Sequence, residues 1–459
     1  MKHPSALPFL IMTGALMSAG EARAAGGFSL PPWQTRVLGN GLRIQVMEFH
    51  ELPLVTFRVV VAVGSAQDPA GKAGLADMVA DLLRKGTTSR SAMEIADTVD
   101  FAGGSLDTEA ERDATHLEAE FLAKDLATGL DLLADVLLHP AFAAGEVDRL
   151  RGEKIAALKG IRENPGALAT RRFAELLYKD HPYGHPVTGW EASVSSITRE
   201  DVLAFHKRHY VPSSVVVTAV GDVDAADLFS QLERRFAGWR GPDGPHEPLP
   251  APSGPKRRAI YLIDKPDATQ SQIRIGGLGI ARKDPDYVPL LVANTILGGG
   301  FTSRLVEEIR VNRGLSYGAR SGFYPHVQTG PFMIRTFTKT ATTRETVQVA
   351  LDCLERFCRE GATEEELEKA RRFLTGTFAI GHQSPGSMAG ALSEIAFYRL
   401  PADYFDSYLE RVRAVTLDDV KRVASTRFPS DKLAIVVLGN ASAVRADLEK
   451  IGSVKPAPI

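Results

Sequence analysis

The chain has 459 residues, 44% of them hydrophobic and 24% charged, with a formal net charge of −2. That length exceeds one ordinary core and predicts two or more domains, and the composition is that of a folded globular protein rather than a disordered one. A near-neutral balance gives no electrostatic basis for nucleic acid as a partner.

Lys2 and His3 precede the apolar run Leu7–Met17, and Ala22-Arg23-Ala24 has the form of a cleavage site. This reads as a signal peptide over residues 1–24 and predicts an exported, periplasmic protein whose mature chain starts near Ala25. The run is too short to span a bilayer and no later run approaches ~20 apolar residues, so no membrane span is expected.

Val55–Val63 then reads as a strand, followed by Gly64-Ser65, Pro69, Gly71 and a helix-like segment from Gly74-Leu75-Ala76 to Lys85-Gly86-Thr87. Asp77 and Asp81, four apart, share one face of that helix. Read alone, they are solvated charges or partners of Arg84 and Arg112; their hard oxygens also suit magnesium or calcium, although no third oxygen ligand is visible. Strand Leu117–Phe121 runs into helix Leu126–Leu138, and Glu146–Leu158 reads as a long helix. His181-Pro182-Tyr183-Gly184-His185-Pro186 sets two histidines four apart, but Pro and Gly forbid the helix that would converge them on a metal.

Thr198 to Asp222 reads as a capped helix, a turn and a buried strand, and Thr416 to Asn440 repeats it. Val202 and Val420, like Gly221 and Gly439, stand about 218 residues apart, far beyond solenoid periods. Strands Gln272–Ile280 and Phe332–Phe337 and helices Thr343–Arg359 and Glu364–Ala379 match the first half more loosely. A duplicated α+β chain is therefore expected, with an N-terminal domain over 25–240, an exposed Pro/Gly-rich linker over 241–258 and a C-terminal domain over 259–459. Cys353 and Cys358 are the two cysteines. On one helix, about 7.5 Å apart along its axis, they read as buried thiols rather than a disulfide.

In the second half, Leu297-Gly298-Gly299-Gly300-Phe301-Thr302-Ser303-Arg304-Leu305 leads to Glu307-Glu308-Ile309-Arg310-Val311-Asn312-Arg313-Gly314-Leu315-Ser316-Tyr317. A helix is expected from near Thr302 to Gly314, with Gly314 in the left-handed position past its end. Arg310 then lies in the last turn and Tyr317 at the start of the next strand. Read alone, they are an arginine complementing the helix dipole and a half-buried tyrosine. The glycines are no phosphate loop, since no Lys-Ser/Thr follows. Ser384 has no triad around it.

The run Val59–Val63, Gly64-Ser65, Gly74-Leu75-Ala76 and Lys85-Gly86-Thr87, together with the Gly-Gly-Gly-Phe-Thr-Ser-Arg-Leu segment, resembles the insulinase/pitrilysin family of zinc peptidases over essentially the whole mature chain. The resemblance implies two homologous domains, each a mixed or antiparallel sheet covered by helices, arranged as a clamshell. It also implies that the helix opened by Gly74 should carry His-x-x-Glu-His, the inverted zinc motif. Asp77, Ala80 and Asp81 stand in those places, and Ala80 cannot act as a base. The third ligand, a Glu in the family, falls near Ala156-Ala157-Leu158, with Glu153 one turn early. No metal site is expected in this chain.

The family's Arg–Tyr pair is present as Arg310 and Tyr317, which the resemblance assigns to the substrate carbonyl. Leu106, Asp107, Thr108, Glu109 and Ala110 fall on the family's peptide-binding edge strand, where an extended peptide can add as a strand; acidic side chains also keep an ordinary edge soluble. Some members divide zinc motif and Arg–Tyr pair between two chains. The expectation is a non-zinc subunit of an exported heterodimeric metallopeptidase, inactive alone. It would work with a homologous zinc-bearing subunit on an unfolded or extended peptide. The alternative is a non-catalytic scaffold or peptide-binding protein of the same family.

Overall fold

The computed structural model describes residues 27–241 and 249–458. The expected signal peptide and the centre of the expected linker fall outside the described residues.

The first sheet contains β1 (Trp33–Val37), β2 (Arg43–Glu48), β3 (Leu54–Val61), β4 (Ser105–Ala110), β5 (Thr115–Leu122) and β6 (Val215–Gly221) in the order β1-β2-β6-β3-β5-β4. The second contains β7 (Ala259–Asp264), β8 (Gln270–Leu278), β9 (Ala319–Phe323), β10 (Pro331–Lys339), β11 (Ala434–Gly439) and β12 (Val454–Ala457) in the order β12-β7-β11-β8-β10-β9. Removing the outer strands β1 and β12 leaves two sheets of one topology. In each, the strand from the repeated segment lies in the middle, parallel to one neighbour and antiparallel to the other. The outer strands differ: β1 is antiparallel to β2, whereas β12 runs parallel to β7.

The repeated caps are alike as well. Thr198 and Thr416 each accept the backbone N–H three residues on, while Asp201 and Asp419 reach back to the cap N–H. These reciprocal bonds satisfy two donors that a helix start leaves unpaired.

Each domain lends a helix to the other. Asn164-Pro165-Gly166 opens the helix Pro165–Tyr178, and Ser384-Pro385-Gly386 opens the helix Pro385–Tyr398; in both an N-cap side chain precedes proline at the first helical position. The first helix packs on β8 and β11 and the second on β3 and β6. Arg274 of β8 donates to Thr170 Oγ1 at 2.9 Å, and Ser393 donates to Thr218 Oγ1 of β6 at 3.0 Å. One apolar cluster joins Met47 and Val220 to the second-domain core, and another joins Leu168, Phe173 and Leu177 to Ala434 and Val436. Opening the domains about the linker would strip these helices from their sheets, so the two halves are not lobes hinged at 241–258.

The His181–Pro186 segment belongs to this junction. Tyr183 donates to Asp113 Oδ1 at 2.6 Å, and Asp113 accepts the Val327 N–H at 2.8 Å from the β9–β10 connection. The Tyr178 hydroxyl donates to the Thr329 carbonyl at 3.0 Å. His326 packs edge-on against Tyr183; burial, followed by nearby Arg112, lowers its pKa to about 3, and burial lowers that of His206 to about 4. Both pKa values are depressed by folding, so the unfolded chain binds protons that the folded chain refuses. Stability is then fully present above the ordinary value of 6.5 and declines as pH falls toward the folded values. Between pH 6.5 and about 5, above the carboxylate range, the melting temperature should fall. A His206→Gln, His326→Gln variant should show a shallower slope over that window.

Cys353 and Cys358 are free thiols on the helix Thr343–Glu360, and burial raises them to about 11 and about 12. Among the described residues no helix is long and apolar enough to cross a membrane.

Candidate functional site

The helix Leu75–Leu82 starts at Gly74, whose φ of +98° suits glycine and whose missing Cβ leaves room for the Thr188 carbonyl and Val194. Asp68 caps the start, accepting the N–H groups of Gly74 and Ala76 at 2.8 Å each. Leu75, Ala76, Met78, Val79, Ala80 and Leu82 are buried, which leaves Asp77 and Asp81 on the open side. Ala80 is 0% exposed, and its methyl offers no group that could take a proton from water.

Asp77 and Asp81 face the helix Ala144–Gly160, and Lys154 stands between them. Its Nζ lies 2.5 Å from Asp77 Oδ2 and 2.7 Å from Asp81 Oδ2. The side chains of Lys154 and Asp77 are 14% and 13% exposed, that of Asp81 29%. Burial works against the ammonium, but the two carboxylates outweigh it and hold Lys154 above the ordinary lysine pKa. A cation held by side chains on two helices thus sits among the vacated ligand positions, and that cation is part of the chain.

The partners expected from sequence are engaged elsewhere. Arg84 reaches the Leu106 carbonyl and Asp107 at 3.4 Å, and Arg112 donates to the carbonyls of Tyr183 and His185 at 2.6 and 3.0 Å. Glu153 pairs with Arg149, and Ala156 and Ala157 are exposed. No group of three or more His, Cys, Asp or Glu side chains suited to a metal occurs among the described residues. Two hard carboxylates already neutralised by an ammonium, with no third ligand, do not fit zinc.

The second constellation is built differently from the expected helix. Thr295–Gly299 and Glu307–Asn312 are wide π turns, joined through a short α turn at Arg304–Val306. Gly298 approaches β9 so closely that a Cβ would lie 2.4 Å from Ser321 Oγ and 2.6 Å from its N. Asn294 locks this contact by exchanging hydrogen bonds with Ser321 at 2.7 and 3.0 Å. Gly314 has φ +61°, as its place beyond the turn requires. Tyr317 lies in the loop two residues ahead of β9, not in the strand.

That loop is pinned from β10: Thr338 donates to the Leu315 carbonyl at 2.8 Å and Thr336 to the Gly318 carbonyl at 2.9 Å. The Tyr317 side chain, 87% exposed, has no hydrogen-bond partner within the described chain. Arg310 is exposed too, and its guanidinium lies 5.1 Å from the centre of the exposed Phe301 ring. Arg310 and Tyr317 thus have fixed backbones and free polar ends, and they do not bond each other.

The strand β4 is the outer strand of its sheet. Leu106, Thr108 and Ala110 point inward, and Asp107 and Glu109 outward.

Residues 47–190 match the family model for insulinase (peptidase family M16), and residues 196–374 match that for the peptidase M16 inactive domain. An uncharacterized zinc protease of Mycobacterium tuberculosis is 32% identical over 86% of this chain and 90% of its own length. The chain belongs to the insulinase family of peptidases. An uncharacterized zinc protease of Streptomyces coelicolor is 27% identical over 90% of this chain and 92% of its own. A crystal structure of a peptidase M16 inactive domain from Pseudomonas fluorescens has 30% identity and a TM-score of 0.84, covering 89% of this chain and 98% of that one. A Helicobacter pylori protease shares the fold at 22% identity, with a TM-score of 0.81 over 89% of this chain and all of its own. This insulinase-family chain is therefore a metallopeptidase homologue in which Lys154 bridges Asp77 and Asp81.

Sequence reasoning missed Lys154. Its signal was present, since a lysine lies two residues before the expected third-ligand position on the helix that packs against Asp77 and Asp81.

Proposed function

We propose that this chain is the non-zinc subunit of an exported, heterodimeric insulinase-type peptidase. Its homologous partner carries the zinc motif, the general base and the attacking water. This chain contributes Arg310 and Tyr317, whose free guanidinium and hydroxyl donate to the substrate carbonyl oxygen as negative charge develops on it. It also forms one wall of the peptide chamber, with the outer strand β4, Leu106 to Ala110, available to an extended peptide.

The observation that carries the reading is the contrast between the two sites. Lys154 bridging Asp77 and Asp81 leaves no place for metal or base, while Arg310 and Tyr317 are held with their polar ends unused. A non-catalytic scaffold or peptide-binding protein of the same family would share the first feature but has no use for aimed, unpaired donors.

The test is purification of the chain alone and with a His-x-x-Glu-His homologue, each assayed on unstructured peptides. Alone, the chain should hold no stoichiometric zinc after metal-free dialysis and hydrolyse nothing; with the partner, turnover should appear. Installing Asp77→His, Ala80→Glu and Asp81→His should not restore zinc, because Lys154 remains between the two helices and no third ligand is supplied. Near-equimolar zinc in the unaltered chain by elemental analysis would refute the reading.

A further inference from the structure

Three arginines stand in one cross-strand row of the second sheet. Arg274 of β8 lies opposite Arg335 of β10, and Arg335 lies opposite Arg320 of β9. Directly opposed residues of antiparallel strands share a face, with Cβ atoms about 5 Å apart, and like charges so placed destabilise the sheet. The face is that of the helix Pro165–Tyr178, since Arg274 donates to Thr170 Oγ1 at 2.9 Å and to the Gly166 carbonyl at 2.8 Å.

No carboxylate on these three strands relieves this charge. The strands β8, β9 and β10 contain no Asp or Glu. None of the three arginines has an ion-pair partner among the described residues. Arg274 is 6% exposed and donates only to neutral oxygens, those of Thr170, Gly166, Ile273 and Thr336. Burial and then Arg335 lower its pKa to about 10, which leaves it charged at neutral pH. Arg320 and Arg335 are exposed.

The duplication supplies an internal comparison. Thr218 and Val436 hold the same place in β6 and β11, and the residues opposite them are Arg58 and Arg274. From Arg58 the row of the first sheet continues to Glu118 and Asp107, and Arg58 pairs with Glu118. The row reads Arg–Glu–Asp in one domain and Arg–Arg–Arg in the other. One domain neutralises its arginine; the other adds two more, at a cost in stability that a bound anion would offset.

We propose that this arginine face binds an extended peptide segment bearing Asp or Glu at alternating positions, with Arg320 and Arg335 contacting its carboxylates and Arg274 supplying charge beneath them. An extended chain presents alternate side chains about 6.6 Å apart, and neighbouring strands lie about 4.8 Å apart. Flexible guanidinium stems cover that difference, and their forks match the two oxygens of a carboxylate. The acidic row of the first sheet and the net charge of −2 leave no long basic track for a phosphate backbone. The site is complete within one chain, so it does not depend on the heterodimer.

The test is fluorescence anisotropy on the mature chain alone, with labelled decapeptides carrying Glu, Gln or Lys at alternating positions. The Glu peptide should bind at least about tenfold more tightly than the Gln peptide. An Arg320→Gln, Arg335→Gln variant should lose that preference while its melting temperature stays level or rises, because repulsion has been relieved. Arg359→Gln, at an exposed helix end, should keep the preference. Equal affinity for the Glu and Gln peptides, or a preference surviving in the double variant, overturns the proposal. So does a single-stranded oligonucleotide of equal charge that binds more tightly than the peptide, or self-association of the chain that the double variant abolishes. Loss of turnover in a reconstituted complex with this binding intact would count against the catalytic reading alone.

Discussion

Exchanging Lys154 for methionine is expected to destabilise the chain by about 3 kcal/mol, read as a lower urea midpoint with an unchanged slope. The change strips the bridging ammonium from two carboxylates of which Asp77 is 13% exposed. Removing one partner of a buried pair costs more than the pair contributes, because the remaining charges stay desolvated and repel each other. Adding Asp77→Asn and Asp81→Asn to Lys154→Met should therefore recover most of the loss. A neutral Lys154→Met would mean that the carboxylates are already hydrated and the bridge is ornamental. Lys154 has a folded pKa raised above its ordinary 10.5. Its contribution is fully present below that value and is lost as pH rises through the folded one, an alkaline slope that Lys154→Met should lack.

The second large effect concerns turnover. In a complex reconstituted with a zinc-bearing homologue, Tyr317→Phe should lower kcat by on the order of 10²–10³, as loss of one oxyanion donor typically does. Folding and assembly should be untouched, since the hydroxyl has no partner within the chain and the loop is held by Thr336 and Thr338. Arg310→Ala should lower kcat and raise KM, because a guanidinium also holds the ground-state carbonyl. If the two residues are only structural, both variants instead lower the melting temperature at normal turnover per folded complex. Unchanged kcat in both would leave this chain a scaffold.

The duplication was legible because its signal is local. A threonine cap, acidic residues in the first turn and a β-branched strand recur at one offset, and each part has its own physical cause. The emptied zinc motif was legible for the same reason, since three side chains on one helix decide it. Lys154 was not, because pairing across two helices depends on the rotation of the helix Ala144–Gly160, and a search for a missing ligand looks at Ala156–Leu158 instead. The helix expected from Thr302 to Gly314 is a short α turn, Arg304–Val306, that widens into a π turn, Glu307–Asn312, a change that local propensity does not report. The crossed helices carry a readable start, Asn-Pro-Gly and Ser-Pro-Gly, but nothing local says which sheet each will cover.

That crossing has a consequence for the order in which the protein can be made. The first domain is synthesised well before residues 385–398 exist, so until then the face of β3 and β6 that carries Thr56, Val60, Thr218 and Val220 has no cover. Its final packing waits for a segment near the end of the chain, and β12, the last strand, must still add beside β7. Contacts this distant in sequence form late and leave sticky intermediates exposed meanwhile. A chain built this way reaches its native state only once it is nearly whole.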